Sequence, residues 1–267
     1  MSLRGSSTRG RGGRVDRAAA VTTPFIGRRS ESDWLDQRLR EALDGHPQVV
    51  FIVGEAGIGK TRLVTELGVR AESANADVHH GRCYEDLTLP YLPFVEGLLT
   101  HLIHVPPGST GTLGSDAAVI SGLLHRDAAR EPVAASTLSA PSNVGRLQLF
   151  PSVSRATIAR ARQRPMLIAL EDLHWADRSS LELFTHLTFA VADASVQKAV
   201  PLLIVVTHRP LEPQSHVGRS FVQNSLGGSL VGCSGLRSFR LPVWSYQDAI
   251  HGPRSWRLNS VPCPRER

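Results

Sequence analysis

Eight consecutive residues, Gly54-Glu55-Ala56-Gly57-Ile58-Gly59-Lys60-Thr61, satisfy the spacing G-x-x-x-x-G-K-[ST]. Glycines let successive backbone N–H groups curl around phosphate oxygens, and a helix opening at the lysine aims its positive end at the same point. In such a loop the ammonium of Lys60 reaches the β and γ phosphates of a nucleotide, and the hydroxyl of Thr61 is placed to ligate Mg²⁺. With this chain's composition about 0.002 such matches arise by chance. The lysine is itself informative. Only Lys60 and Lys198 are lysines in a chain otherwise served by arginine, and Lys60 stands where a slim charge on a flexible stem is wanted.

A second cluster lies in "MLIALEDLHWAD", where an apolar run ends in Glu171 and Asp172. Carboxylates at the carboxyl end of a strand face the ligand crevice of an α/β sheet. By position Glu171 takes Mg²⁺ and Asp172 positions or polarises a water, and the reverse order is equally consistent with the chemistry. The run "LLIVVTHRP" ends in Thr207, His208 and Arg209, polar groups that could read a γ-phosphate and offset its charge. Lys60, Glu171 and Asp172 form the expected catalytic set. His174 and Trp175 read as packed residues, and the pairs His79–His80 and His101–His104 lack companion ligands for a metal site.

These groups need a scaffold, and the pattern supplies one. Val49–Val53 reads as a buried strand before the loop, and Leu63, Val64 and Leu67 line one face of a helix after it. Upstream, Trp34, Leu35, Leu39 and Leu43 recur at helical spacing, with Ser30 as the expected N-cap. "DVHHGRCYE" is a weaker strand, "YLPFVEGLLTHLIHV" is helical after its prolines, and Pro151 should bend or restart the helix in "VGRLQLFPSVSRATIARARQ". "PMLIALED" and "AVPLLIVVTHRP" are further buried strands, with an amphipathic helix between them. Alternating strand and helix predict an α/β fold, a P-loop NTPase whose parallel sheet is covered by helices on both faces.

Domain boundaries follow from composition. Residues 1–23 read as a disordered basic tail, residues 24–250 as one P-loop domain, and residues 105–142 as a loop-rich insertion with one short helix. "RSFRLPV" is a candidate last strand, and residues 251–267 read as an unstructured tail. The net charge of +6 sits at the ends, +4 in residues 1–20 and +5 in residues 216–267, leaving −3 for the rest. A DNA-binding surface on the body is therefore not expected. No apolar run approaches the ~20 residues a membrane helix needs. Cys83, Cys233 and Cys263 make no even framework, which points to a reduced, cytoplasmic setting.

Together "FIGRRSE", "GEAGIGKTRLV", "GRCYED…PYLPFVEGL", "RLQLF", "LEDLHWADRSSLELF" and "LLIVVTHRP" resemble the origin-recognition-like AAA+ ATPase domain of large bacterial regulators. These are the LuxR-type and cyclase-linked members of the signal-transducing P-loop ATPases. The resemblance spans about Phe25 to Pro210. It implies ATP with Mg²⁺, exchange of ATP for ADP as a switch, and self-association through the domain. Carried over by motif, the nucleotide-binding set is Gly27 and Arg28 beside adenine, then Gly54, Glu55, Ala56, Gly57, Ile58, Gly59, Lys60, Thr61 and Arg62, with Thr207 and Arg209 as the γ-phosphate sensor. The metal set is Thr61 and Glu171, with Asp172 the alternative. The family more often carries aspartate where Glu171 stands, which keeps the order within the pair open. Full-length relatives bind DNA through regions that do not fit in this chain, and the lid that normally follows is missing as well, so truncation or a frame disruption near residue 250 is the expectation. The function expected is an ATP-binding, slowly hydrolysing switch module. A remnant without function and a small-molecule kinase are the alternatives. A GTPase is set aside because no N-K-x-D motif accompanies Lys198.

Overall fold

The computed structural model describes residues 28–87, 89–103, 112–125, 143–209, 235–240 and 258–260. The proposed basic tail, Gly27, His104, Cys233, Cys263, most of the 105–142 insertion apart from one helix, and residues 241–257 lie outside the described residues.

Three strands carry uninterrupted apolar runs and are buried along their whole length: β1 (Gln48–Val53), β3 (Met166–Glu171) and β4 (Leu202–His208). Strands covered on both faces read this way because neither side of the pleat meets water. Alternate residues divide between two cores. Val50, Ile52, Leu167, Ala169, Leu203 and Val205 face helices α1 (Arg29–Leu43) and α2 (Lys60–Ser73). Phe51, Val53, Ile168, Leu170, Ile204 and Val206 face the opposite layer, which includes α6 (Asn143–Gln163) and α7 (Arg178–Gln197). Each fully buried Leu, Ile, Val or Phe contributes about 1.5–3 kcal/mol relative to exposure.

The sheet order is β2-β3-β4-β1-β5-β6, with β2 at Asp77–Arg82, β5 at Gly235–Arg240 and β6 at Leu258–Ser260. The first four strands are parallel, as alternating strand and helix require. β5 and β6 are antiparallel additions at the β1 edge, so the whole sheet is mixed. Residue types favour a strand without setting its direction, which the connection decides. Three residues of the segment read as an unstructured tail, 258–260, thus pair with β5.

Other departures are local. α1 begins at Arg29 with Arg28 in the N-cap position, and Ser30 donates to Glu31 inside the first turn. α6 runs continuously through Pro151. The insertion holds α5 (Thr112–His125), fourteen residues long and tied to α6 by a fork from Arg155 onto the buried Asp116. Between β2 and α5 the chain forms α3 (Leu92–Phe94), a π-helical turn (Val95–Leu99) and α4 (Thr100–Leu102). This run packs tightly on β2. A Cβ at Gly81 would fall 1.7 Å from the Pro93 carbonyl oxygen, so the contact exists only with glycine there.

Candidate functional site

The site lies at the carboxyl ends of the four parallel strands, where the turns after β1, β2, β3 and β4 converge. The loop leaving β1 turns into α2 through Gly57 and Gly59 at φ 75° and 93°, the left-handed region that only glycine enters freely. Its start is pinned to the neighbouring strand, because the Gly54 N–H donates to the His208 carbonyl at 3.2 Å. Arg28 donates to the Ile58 carbonyl at 2.6 Å, bringing the start of α1 to the loop tip. Lys60 opens α2 and folds back, its Nζ donating to the Gly54 and Glu55 carbonyls at 2.8 and 2.9 Å. Burial holds the Lys60 ammonium below its ordinary value; Asp172 opposes that shift and Arg209 adds to it. Arg62, one turn on, pairs with Glu66 along α2.

Glu171 closes β3 and is 1% exposed. Its two oxygens are divided between neighbours. Thr61 Oγ1 donates to Oε2 at 2.5 Å, and His80 Nε2 lies 2.7 Å from Oε1. Burial alone would raise this carboxyl; the hydrogen bonds from His80 and Thr61, with the charges of His80 and Arg82, outweigh it and hold Glu171 below the usual glutamate value. Asp172 follows in a left-handed conformation, φ 56°. Its backbone N–H donates to Thr207 Oγ1 at 3.0 Å, and Oδ2 accepts two bonds from Arg82, at 3.0 and 3.2 Å. The hydrogen bond to Asp172 raises the Arg82 guanidinium further.

Thr207 is 1% exposed, and its hydroxyl holds the Asp172 turn. Arg209 is exposed, with its guanidinium 5.9 Å from the centre of the Trp175 ring. His174 stands on a 3₁₀ turn, Leu173–Trp175, its ring tilted by 42° against that of Trp175 with 5.0 Å between centroids. Burial lowers His174 to about 4; Asp172 opposes the shift, and Arg209, His208 and Lys60 deepen it. Burial likewise lowers His208.

The structure therefore brings together Arg28, the loop Gly54–Thr61, Glu171, Asp172, Thr207 and Arg209. Gly27 lies outside the described residues. Sequence reasoning missed His80, Arg82 and the placement of His174. A signal for the first two existed: in a strand, His80 and Arg82 share one face, two residues apart. That face meets the carboxylates only because β2 pairs with β3 in the register Arg82↔Glu171. Among the described residues no cluster of three or more His, Cys, Asp or Glu could hold a metal ion. The hydroxyl of Thr61 and the carboxylate of Glu171 nevertheless form a hard oxygen pair of the kind Mg²⁺ takes alongside phosphate oxygens.

A glycine-rich turn between a buried strand and a helix, closing a parallel sheet covered on both faces, is the architecture of an α/β P-loop NTPase. The chain belongs to the AAA ATPase domain family, whose model matches residues 24–205, and membership carries nucleotide binding with it. An uncharacterized protein of Rhizobium meliloti (strain 1021) is 30% identical over 200 residues, which cover 70% of this chain and 19% of that protein. The chain thus spans about a fifth of this relative's length. Among solved structures, Cdc6p from Pyrobaculum aerophilum is similar over 79% of this chain and 45% of its own, at 14% identity and a TM-score of 0.43. The Walker-type ATPase of Pyrococcus abyssi is similar over 78% of this chain and 51% of its own, at 15% identity and a TM-score of 0.36. No helix among the described residues is long and apolar enough to cross a membrane.

Proposed function

We propose that this chain is the Mg²⁺-ATP-binding switch module of a bacterial signalling or transcriptional regulator of the LuxR type, hydrolysing ATP slowly. The observation that supports it most is the 2.5 Å contact between Thr61 of the phosphate loop and the buried Glu171 at the tip of β3. It joins the two halves of a nucleotide site across 110 residues of sequence.

In this reading N–H groups of residues 55–62 cradle the phosphates while that of Gly54 stays on the His208 carbonyl, and Lys60 leaves the Gly54 and Glu55 carbonyls to meet the β and γ phosphates. Thr61 and Glu171 hold Mg²⁺, which when bound neutralises charge developing on the phosphates. Glu171 takes this role rather than Asp172 because it already shares a hydrogen bond with Thr61. Asp172, its backbone fixed by Thr207, positions the attacking water. Arg82 sets the carboxylate's orientation, and Arg28 and Arg209 flank the loop and the strand tip. ATP and ADP then stabilise different arrangements of the domain, and hydrolysis resets the switch.

The test is calorimetric binding of Mg²⁺-ATP to the whole chain, beside Lys60→Ala and with GTP as control. A charge-assisted contact is worth roughly 1.5–3 kcal/mol, so the variant should bind tenfold or more weakly. Equal binding by wild type and variant, or a preference for GTP, would refute the reading.

A further inference from the structure

One buried polar group in the site has no role so far. Both ring nitrogens of His174 are buried, and among the described residues neither has a hydrogen-bond partner. Buried polar side-chain atoms in folded proteins are overwhelmingly paired, so an unpaired one calls for a partner, and in a nucleotide site a ligand's polar atom can supply it. The ring is held in place: it sits on the 3₁₀ turn two residues past Asp172 and packs at a tilt of 42° against Trp175, 5.0 Å between centroids, and Trp175 in turn lies under Arg209.

The surroundings define the missing partner's chemistry. Lys60, His208, Arg209 and Asp172 all lie within electrostatic reach of the ring. Lys60 and Arg209 are cationic, and a single carboxylate, Asp172, stands against them, which favours an anionic group between the two cations. A neutral imidazole offers one N–H donor, suited to a phosphoryl oxygen. Position selects which phosphate. His174 follows the residue assigned to the attacking water, so it belongs at the terminal phosphate rather than at the α or β groups.

We infer that His174 donates a hydrogen bond to a terminal phosphoryl oxygen of bound ATP and so distinguishes triphosphate from diphosphate. This rests on the Mg²⁺-ATP reading above. It assigns the discrimination to the turn after β3, whereas the hydroxyl oxygen of Thr207 near the tip of β4 accepts from the Asp172 backbone N–H and steadies that turn.

The experiment measures Kd for the Mg²⁺ complexes of the β,γ-imido analogue of ATP and of ADP. It compares the full wild-type chain with Lys60→Ala, His174→Ala, His174→Asn and His174→Gln, each first shown by circular dichroism to melt cooperatively. His174→Ala should weaken the triphosphate analogue about tenfold or more and ADP less than twofold. One of the two amide variants, whose nitrogen can replace a ring N–H, should recover part of the loss. Equal losses for both nucleotides, no loss for either, or no recovery by either amide would overturn the inference. If wild type binds neither nucleotide, or Lys60→Ala binds both as well as wild type does, the ATP reading itself fails and takes the inference with it.

Discussion

His79 offers a prediction whose size follows from its surroundings. It lies on β2, on the opposite face from His80 and Arg82, and is 7% exposed. Its ring packs on His101 at 4.6 Å. Burial lowers it to about 4 from an ordinary 6.5; the charge of His101 and that of Arg160 add to the shift, while Asp77 and a backbone hydrogen bond with Gly97 oppose it. The folded state therefore resists protonation while the unfolded chain accepts it. Stability from the neutral ring is complete above the unfolded value of 6.5. It falls as pH drops through that value and levels off below about 4. Between pH 7 and pH 5 this linkage removes about 2 kcal/mol from folding, out of about 3 kcal/mol in all.

The perturbation is His79→Gln, which removes the titration and keeps a polar side chain. Urea unfolding of both proteins at pH 7, 6 and 5, followed by circular dichroism, separates this group from the other depressed histidines, because their contributions cancel in the difference. The variant should lose about 2 kcal/mol less than wild type on going from pH 7 to pH 5. Parallel stability profiles would show that protonation of His79 is not linked to folding, and would refute the argument.

Thr61→Ala should leave nucleotide binding in EDTA unchanged and abolish its enhancement by Mg²⁺, as read by titration calorimetry. Asp172→Asn should keep Mg²⁺-ATP affinity within a few-fold and lower single-turnover hydrolysis by about 10²-fold or more, the scale of lost general-base assistance. Arg155→Ala leaves the Asp116 carboxylate buried without its fork, costing about 2 kcal/mol, and hydrogen exchange should report the loosening first in α5. Gly81→Ala forces a Cβ into the Pro93 carbonyl. It should destabilise by about 3 kcal/mol or more in thermal unfolding, whereas an alanine at the open position Gly122 should cost nothing.

Legibility in the sequence tracked how local each signal is. β1, β3 and β4 were readable because burial on both faces turns each into a continuous apolar run. The phosphate loop was readable because its glycines and lysine act on their own neighbours. α5 was underestimated because "TLGSDAAVISGLLH" carries two glycines and little helical patterning; packing on α6 and the Arg155 fork compensate for that. Direction at the β5 edge was not legible, since it depends on the connection rather than on "GLRSFR" itself. The roles of His80 and Arg82 were hidden for a related reason. Their chemistry appears only once Arg82 stands opposite Glu171, a register fixed between residues far apart in the chain.

That register has a mechanical consequence. Glu171 is held by His80 from β2 and by Thr61 from α2; Asp172 is held by Arg82 from β2 and by Thr207 from β4. Each residue of the pair thus takes one of its two restraints from β2, a strand at the sheet's edge, and for Asp172 it is the one on the carboxylate. β2 in turn is gripped by the π-helical turn, where Glu96 accepts from the Arg82 backbone N–H at 3.3 Å and Gly97 allows close approach to Gly81. A shift of a few tenths of an ångström in β2 would lengthen the His80 and Arg82 contacts together, while the phosphate loop, anchored through Gly54 to His208 on the far side, would not move. On the proposed reading, changes in the π turn should therefore reach Mg²⁺ through Glu171 and the attacking water through Asp172 while leaving the loop's own anchor at His208 in place.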